Sequence, residues 1–498
     1  MSTEPLILAL DQGTTSSRAL LLDRRLNVVA AAQQEFAQIY PRPGWVEHDP
    51  ETIWTSQRNV LREAVERADG RFGDVAALAI ANQRETVVVW NRRTGEPVHN
   101  AIVWQCRRTA DFCEALKRKG GEAPIRARTG LVADAYFSAS KIRWILDHVD
   151  GAREAARRGD LLCGTVDTWL LWQLSGGRAH ATDYTNASRT QLFNIHDLRW
   201  DEELLGLFDI PAAMLPAVIP SSGLAAQTRL PEFGGRELPV LGVAGDQQAA
   251  LFGQGCFNPG DVKNTYGTGC FLLMNTGAKS VASRQGLLTT LTAQTAPGAP
   301  GYALEGSVFM GGAVMQWLRD ELQILARAGD AGPVAASIPD TGGVYLVPAF
   351  TGLGAPHWDM YARGTLVGMT RGTGRRQIIR AAEEAIAFQC HDLVAAMQAD
   401  AARPPAALRV DGGAAGDDFL MQFQTDLLDV AIDRPACRET TAIGAAALAA
   451  LALGWQTPEQ LSARPIERRF EPARDGAWRR LQLAGWRKAV ARAARWAE

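Results

Sequence analysis

Apolar and polar positions along this chain predict strands and helices in alternation, with polar and glycine-rich turns where the strands end. Residues 6–10 are a continuous apolar run that stops at Asp11, residues 18–22 form a second run, and residues 27–30 a third. The opening therefore reads as strand, turn, strand, strand. A helix is predicted from Asp49-Pro50, where Asp suits the cap and Pro the first turn. Its apolar face is Ile53, Trp54, Val60, Leu61 and Val65. Residues 75–81 predict another strand, ending at Asn82-Gln83-Arg84-Glu85. Ile142, Ile145, Leu146 and Val149 stand at helical spacing after Tyr136. Residues 239–244 predict a strand that delivers Gly245-Asp246-Gln247-Gln248 at its end.

The second half opens on a loose repeat of the first. Residues 261–265 approach Gly267-Thr268-Gly269, and residues 270–274 leave it. A strand at 344–347, a long helix over 377–397, a strand at 408–410 and a helix from about Asp417 follow. Phe419, Leu420, Phe423, Leu427 and Leu428 form that last helix's inner side. The two halves read as a diverged duplication, with domains expected at 1–252 and 253–498. Residues 440–455, rich in alanine, are too short and too weakly hydrophobic to span a bilayer and read as a buried core helix.

Composition narrows the class. At 498 residues the chain exceeds a single core. An apolar fraction of 47% with 21% charged residues is ordinary for a globular enzyme. A net charge of -2 gives no bulk attraction to nucleic acid or an anionic membrane, so anion binding must come from local geometry. The seven cysteines are scattered and form no C-x-x-C pair, which favours a reducing cytoplasm over a disulfide framework or zinc site. The N-terminus lacks the basic-then-apolar layout of a signal peptide.

Three glycine-rich turns carry the chemistry. In Asp11-Gln12-Gly13-Thr14-Thr15-Ser16, glycine lets backbone N–H groups converge on an anion, the hydroxyls add donors, and Arg18 adds a fixed positive charge. Asp11 beside phosphates makes sense if it holds Mg²⁺ through water. A plain polar hairpin is the alternative. Asn264-Thr265-Tyr266-Gly267-Thr268-Gly269 repeats the pattern. Asp411-Gly412-Gly413-Ala414-Ala415-Gly416 ends a strand with two glycines that permit close approach of a flat or sugar-like ligand, with Asp417 also suited to cap the next helix. Walker-type, protein-kinase, G-x-S-x-G, H-E-x-x-H and G-x-G-x-x-G signatures are absent from the sequence. A bound nucleotide and phosphoryl transfer are the expectation.

Asp246 stands where a strand runs out, the usual ligand edge of an α/β sheet, and can accept a hydroxyl proton; capping the helix at 247–252 is its alternative role. Arg84-Glu85 suits a polyol, Arg donating and Glu accepting. Neighbours on an extended chain point opposite ways, so this pair needs a turn to converge. An exposed pair of no consequence is the alternative, and Trp104 and Phe271 each suit a core as well as a ligand wall.

With these residues, the chain resembles the FGGY carbohydrate kinase family, and within it the bacterial enzymes that phosphorylate glycerol. The likeness runs through Leu10-Asp11-Gln12-Gly13-Thr14-Thr15-Ser16-Ser17-Arg18, Gly44-Trp45-Val46-Glu47-His48-Asp49-Pro50, Asn82-Gln83-Arg84-Glu85-Thr86, Ile102-Val103-Trp104-Gln105-Cys106-Arg107-Arg108, Thr182-Asp183-Tyr184-Thr185-Asn186-Ala187-Ser188-Arg189, Gly245-Asp246-Gln247-Gln248-Ala249-Ala250 and Pro348-Ala349-Phe350-Thr351-Gly352-Leu353-Gly354-Ala355-Pro356. The resemblance implies an α/β, actin/hexokinase-like (RNase H-like) two-domain fold closing over a cleft. It implies ATP-dependent phosphorylation of glycerol to sn-glycerol 3-phosphate, with ADP as the other product. It implies that Arg84, Glu85, Tyr136, Asp246 and Gln247 bind glycerol, with Trp104 and Phe271 on its carbons and Asp246 as the catalytic base. Thr14, Thr15, Ser16, Arg18, Thr268, Gly312, Gln316 and Gly413 are then expected to hold the nucleotide, and Asp11 and Asp246 to lie near Mg²⁺.

Asp417, on the adenosine side, replaces an Asn usual in the family; an acid cannot donate as an amide does. Gly234-Gly235-Arg236-Glu237 stands where some relatives have Gly-Gly-Thr-Arg for fructose 1,6-bisphosphate. A cytoplasmic homo-oligomer, dimer or tetramer, without nucleic-acid partners or stable membrane insertion completes the expectation. The rival readings are a kinase for a larger polyol or ketose, and a nucleotide-binding switch or filament protein of the actin type.

Overall fold

The computed structural model describes residues 4–296 and 298–497; the extreme ends of the two expected domains, residues 1–3 and 498, lie outside it. The chain forms two compact units. The first comprises the described residues up to Gly255 together with Thr289–Tyr302 and Thr440–Ala463, and the second Cys256–Leu288, Ala303–Glu439 and the described residues from Arg464 on.

In the first unit β1 (Leu6–Gln12), β2 (Ser16–Leu22) and β3 (Val28–Glu35) are followed by α1 (Pro50–Glu66). The Asp49 carboxylate accepts from the Glu51 N–H, and Pro50 opens the helix, as the sequence predicts. Next come β4 (Val75–Asn82), α2 (Ser138–His148), β5 (Ser222–Thr228), β6 (Leu238–Gly245) and α3 (Asp246–Gly253). The strands lie in the order β3–β2–β1–β4–β6–β5. β1 and β2 form an antiparallel hairpin, while β4 runs parallel to β1 and β6 parallel to β4. Leu6, Leu8 and Leu10 share a core with Ile53, Val60, Leu61 and Val65 of α1. Ile7 and Ala9 are equally removed from solvent. A strand buried on both faces explains the unbroken apolar run at 6–10.

The helix Thr440–Ala452 packs against β1, β4, β6 and α3. It is buried, as expected, and its small residues have a geometric cause. A Cβ added at Gly444 would fall on the Ala249 carbonyl of α3, and one at Gly253 on the Thr440 carbonyl. One at Gly242 of β6 would meet the Ala445 carbonyl. Main chain lies against main chain, so Ala and Gly are what fits.

The second unit repeats the strand plan. Its strands β7 (Val262–Tyr266), β8 (Cys270–Gly277) and β9 (Tyr302–Val308) precede α4 (Ala313–Asp320) and the long α5 (Arg375–Ala401). Then follow β10 (Ala407–Asp411), α6 (Asp418–Leu428), β11 (Ala431–Pro435) and β12 (Ile466–Phe470). The order is β9–β8–β7–β10–β11–β12. Again an antiparallel hairpin, β7–β8, is joined by two parallel strands, β10 and β11. On α6, Leu420, Phe423 and Leu427 are buried, and Phe419 and Leu428 pack partly buried against the same core. Among the described residues no helix is long and apolar enough to cross a membrane.

Replacing Gly444 by Val forces a branched side chain into the contact between two helix backbones. The expected cost is about 1–3 kcal/mol or more, because neither backbone can yield as a flexible side chain would. Thermal unfolding of Gly444→Val against Gly444→Ala checks this: the loss should begin at Ala and deepen at Val.

Candidate active site

Strands β4 and β6 are neighbours and parallel, so both deliver polar residues at the same sheet edge. Arg84 lies just beyond β4, is almost fully buried, and has its Nε 3.2 Å from Asp246 Oδ1. Its Nη1 donates to Gln248 Oε1 at 3.2 Å. Gly245 makes the passage possible: a Cβ there would lie 2.7 Å from Arg84 Cγ. The Gly245 N–H donates to Thr185 Oγ1 at 2.8 Å, which pins the strand end.

The turn that Arg84-Glu85 needs is present. Glu85 has φ 61°, a left-handed conformation, and the Thr86 N–H donates back to the Arg84 carbonyl at 2.8 Å. Both side chains are thereby buried together, with Arg84 Nε 3.9 Å from Glu85 Oε1. The pair is not exposed. Asp246 opens α3, but Gly245 occupies the cap position. The Asp246 carboxylate accepts from the N–H of its own neighbour, Gln247, at 2.7 Å, and its side chain keeps 27% of its surface exposed. Trp104 and Tyr136 form an edge-to-face pair with ring centroids 5.6 Å apart. Trp104 Nε1 donates to Thr14 Oγ1 at 2.9 Å, which ties this aromatic wall to the β1–β2 turn.

At that turn the Gly13 N–H donates to the Ser16 carbonyl at 3.0 Å, and Gln83 Nε2 donates to the Gly13 carbonyl at 3.0 Å. Thr15 is exposed at its tip. Arg18 Nη2 donates to Gln33 Oε1 at 2.9 Å, and Ser16 Oγ accepts from Gln33 Nε2. Asp11 sits opposite Arg18 in the hairpin register. Protein crowds its carboxyl, although part of the residue's surface is open. Burial, opposed by Arg18 and reinforced by the charge of Asp246, raises its pKa to about 6.

In the second unit the Gly267–Gly269 turn docks onto the start of α4. The Gly311 N–H donates to the Thr268 carbonyl at 2.8 Å and the Gly312 N–H to the Gly267 carbonyl at 2.9 Å. Gln316 lies one helical turn on, its N–H bonded to the Gly312 carbonyl. Thr268, Gly312 and Gln316 are thus brought together. Phe271 follows on β8, paired with Thr265. At the end of β10, Gly412 has φ 85° beside the Tyr266 carbonyl, and Gly413 has open space where a side chain would be. Asp417 Oδ1 accepts from the Leu420 N–H at 3.0 Å and caps α6. Burial raises its pKa despite these main-chain donors.

Two buried cations were not singled out by sequence reasoning. Arg189 Nε donates to Glu85 Oε1 at 2.6 Å, and its guanidinium carbon lies 5.7 Å from the Tyr136 ring centroid. Lys141 on α2 reaches the Glu85 and Tyr136 carbonyls. Arg189 closes a mostly polar stretch from Thr182 to Ser188, the one local hint of its role; Lys141 has none.

Known proteins bear on this geometry. The model of the N-terminal domain of the FGGY family of carbohydrate kinases matches residues 6–253, and that of the C-terminal domain residues 262–453. The chain is 58% identical to a glycerol kinase of Klebsiella pneumoniae and 57% to one of Salmonella arizonae, each over 100% of this chain and 99% of the relative. The fold matches the crystal structure of Plasmodium falciparum glycerol kinase with ADP at a TM-score of 0.92 and 35% identity, covering 98% of both chains. It also matches a ligand-bound xylulose kinase of Lactobacillus acidophilus at 0.85 and 22% identity, over 98% of this chain and 96% of the other, a likeness of fold alone. With models for both domains matched and full-length relatives above half identity, this chain belongs to the FGGY family of carbohydrate kinases.

Proposed function

We propose that the chain transfers the γ-phosphoryl group of ATP to a terminal hydroxyl of glycerol, giving sn-glycerol 3-phosphate and ADP. The observation that carries this reading is the buried pair Arg84–Glu85 meeting the part-exposed carboxylate of Asp246 beside the Trp104–Tyr136 pair. Closely spaced donors and acceptors against aromatic faces fit a short triol. Arg84 donates to glycerol oxygens, Glu85 and Asp246 accept from its hydroxyls, and Tyr136 and Gln247 complete the polar set. Trp104 and Phe271 pack on its carbons.

The glycerol oxygen attacks the γ-phosphorus as the bond to the ADP oxygen breaks, and Asp246 takes the hydroxyl proton. Arg84 holds that carboxylate in place. The turn at Thr14, Thr15 and Ser16 with Arg18, and the turn at Thr268 with Gly312 and Gln316, supply main-chain and side-chain donors to the nucleotide's phosphates. Gly413, with its open face, admits the adenosine.

The residues fit a divalent cation. Burial is the main cause of the raised Asp11 pKa and the charge of Asp246 adds to it; a cation between the two carboxylates would relieve that repulsion. Asp11 and Asp246 would hold Mg²⁺, largely through water. Bound there, Mg²⁺ supplies positive charge to the phosphate oxygens.

Glycerol-dependent release of ADP from ATP is the direct test, and no release with glycerol would end this reading. Asp246→Asn should lower kcat by roughly 10²–10⁴, with a much smaller change in glycerol affinity; an unchanged kcat removes Asp246 as the base. Arg84→Ala should chiefly raise the KM for glycerol, by roughly 10–100-fold, the worth of a charged hydrogen bond; steady-state kinetics at saturating ATP measure this, and an unaltered KM takes Arg84 out of the pocket. Asn caps a helix as well as Asp does, so Asp417→Asn should keep the native melting temperature and leave the KM for ATP equal or lower. A higher KM would contradict that account of the adenosine side.

A further inference from the structure

Lys141 is fully removed from solvent on α2. Its ammonium donates to the main-chain carbonyls of Tyr136 at 2.5 Å, Phe137 at 2.9 Å and Glu85 at 3.5 Å. Three donors meet three acceptors, the full capacity of an ammonium. Ser138 Oγ donates to the same Glu85 carbonyl at 3.2 Å.

These contacts join two separate pieces of the glycerol pocket. Glu85 is left-handed, a conformation that strains a non-glycine residue and persists only when its surroundings hold it. Arg189 holds its carboxylate and Lys141 its carbonyl. The same ammonium holds the carbonyl of Tyr136, whose ring packs on Trp104. An apolar side chain would fill this space without the cost of desolvating a charge, so the cation is explained by what it holds.

We propose that Lys141 is a positioning residue of the polyol site: its ammonium fixes the distance between the Glu85 turn and the Tyr136 segment and thereby sets the affinity for glycerol. This rests on the glycerol reading above. The titratable groups facing Lys141 are Glu85, after β4; Cys106, in the segment that follows Trp104; Asp134, ahead of α2; and Cys113, on the helix Ala110–Arg118. Burial outweighs them and lowers the Lys141 pKa to about 8. Above that pH a neutral amine keeps two donors and releases one carbonyl.

The pH dependence separates positioning from mere structural support. The folded pKa lies below the ordinary value of 10.5. Between about 8 and 10.5 the unfolded chain therefore binds more protons, and the contribution of Lys141 to stability rises with pH. Glycerol affinity should fall over the same range.

The test is steady-state kinetics of the unmodified chain, Lys141→Met and Lys141→Gln across pH 7 to 9.5, with thermal melts alongside. In the unmodified chain the KM for glycerol should be flat up to about pH 8 and rise above it. In Lys141→Met it should be raised roughly tenfold at pH 7 with no further rise at alkaline pH, while the KM for ATP stays within about twofold. Lys141→Gln, with two donors, should fall between. A folded Lys141→Met with native glycerol KM overturns the proposal. If neither variant folds, a flat glycerol KM through pH 8 in the unmodified chain overturns it. Failure of the unmodified chain to release ADP with glycerol defeats the glycerol reading itself, a result distinct from either.

Discussion

Arg84 enters the interior at the end of β4 and meets Asp246 at the end of β6, 3.2 Å away. A buried guanidinium is expensive unless its charge and its donors are answered. Here Asp246, Glu85 and Gln248 answer it, and each is held in turn by something else. Gly245 leaves room for the side chain, Thr185 pins the strand end, and Arg189 balances the carboxylate of Glu85. Removing one member of such a group strands the rest, so the pocket is built as a unit. The parallel pairing of β4 with β6 is what permits it, because only parallel neighbours bring two C-terminal strand ends to one edge.

Much of this was legible in the chain. The sequence pattern predicts the β1–β2 and β7–β8 hairpins; β1, β2 and β8 extend the predicted runs by two to three residues, because main-chain pairing continues into polar positions such as Asp11 and Gln12, while β7 lies one residue further on, at Val262–Tyr266. The long helix over 377–397 runs from Arg375 to Ala401 for a similar reason: its ends lie where polar residues carry no periodic signal. Arg84 and Asp246 could be picked out because strand ends are visible and charged residues at them are few.

What was hidden is non-local or stereochemical. Nothing in the identity of Glu85 announces φ 61°; a glutamate adopts it only because Arg189, Ser138 and Lys141 hold it from positions 53 to 104 residues away. The alanine helix Thr440–Ala452 reads as buried, but no periodicity tells that it lies against β1, β4 and β6. That information resides in matched glycines, Gly242, Gly253 and Gly444, which are meaningful only once their partners are known.

The balance of energies explains why so much of the pocket holds rather than reacts. A general base supplies roughly 10²–10⁴ in rate, about 3–5 kcal/mol. Holding reactants in an attacking geometry supplies about 7–11 kcal/mol. One carboxylate, Asp246, is exposed enough to take a proton, while Arg84, Glu85, Lys141 and Arg189 are all but sealed from solvent. Sealed charges are poor proton carriers and good rulers, since each is costly to move and is bound at a fixed distance to its neighbour. For phosphoryl transfer, where the attacking oxygen must lie in line with the bond that breaks, that stiffness contributes more than a second acid or base could.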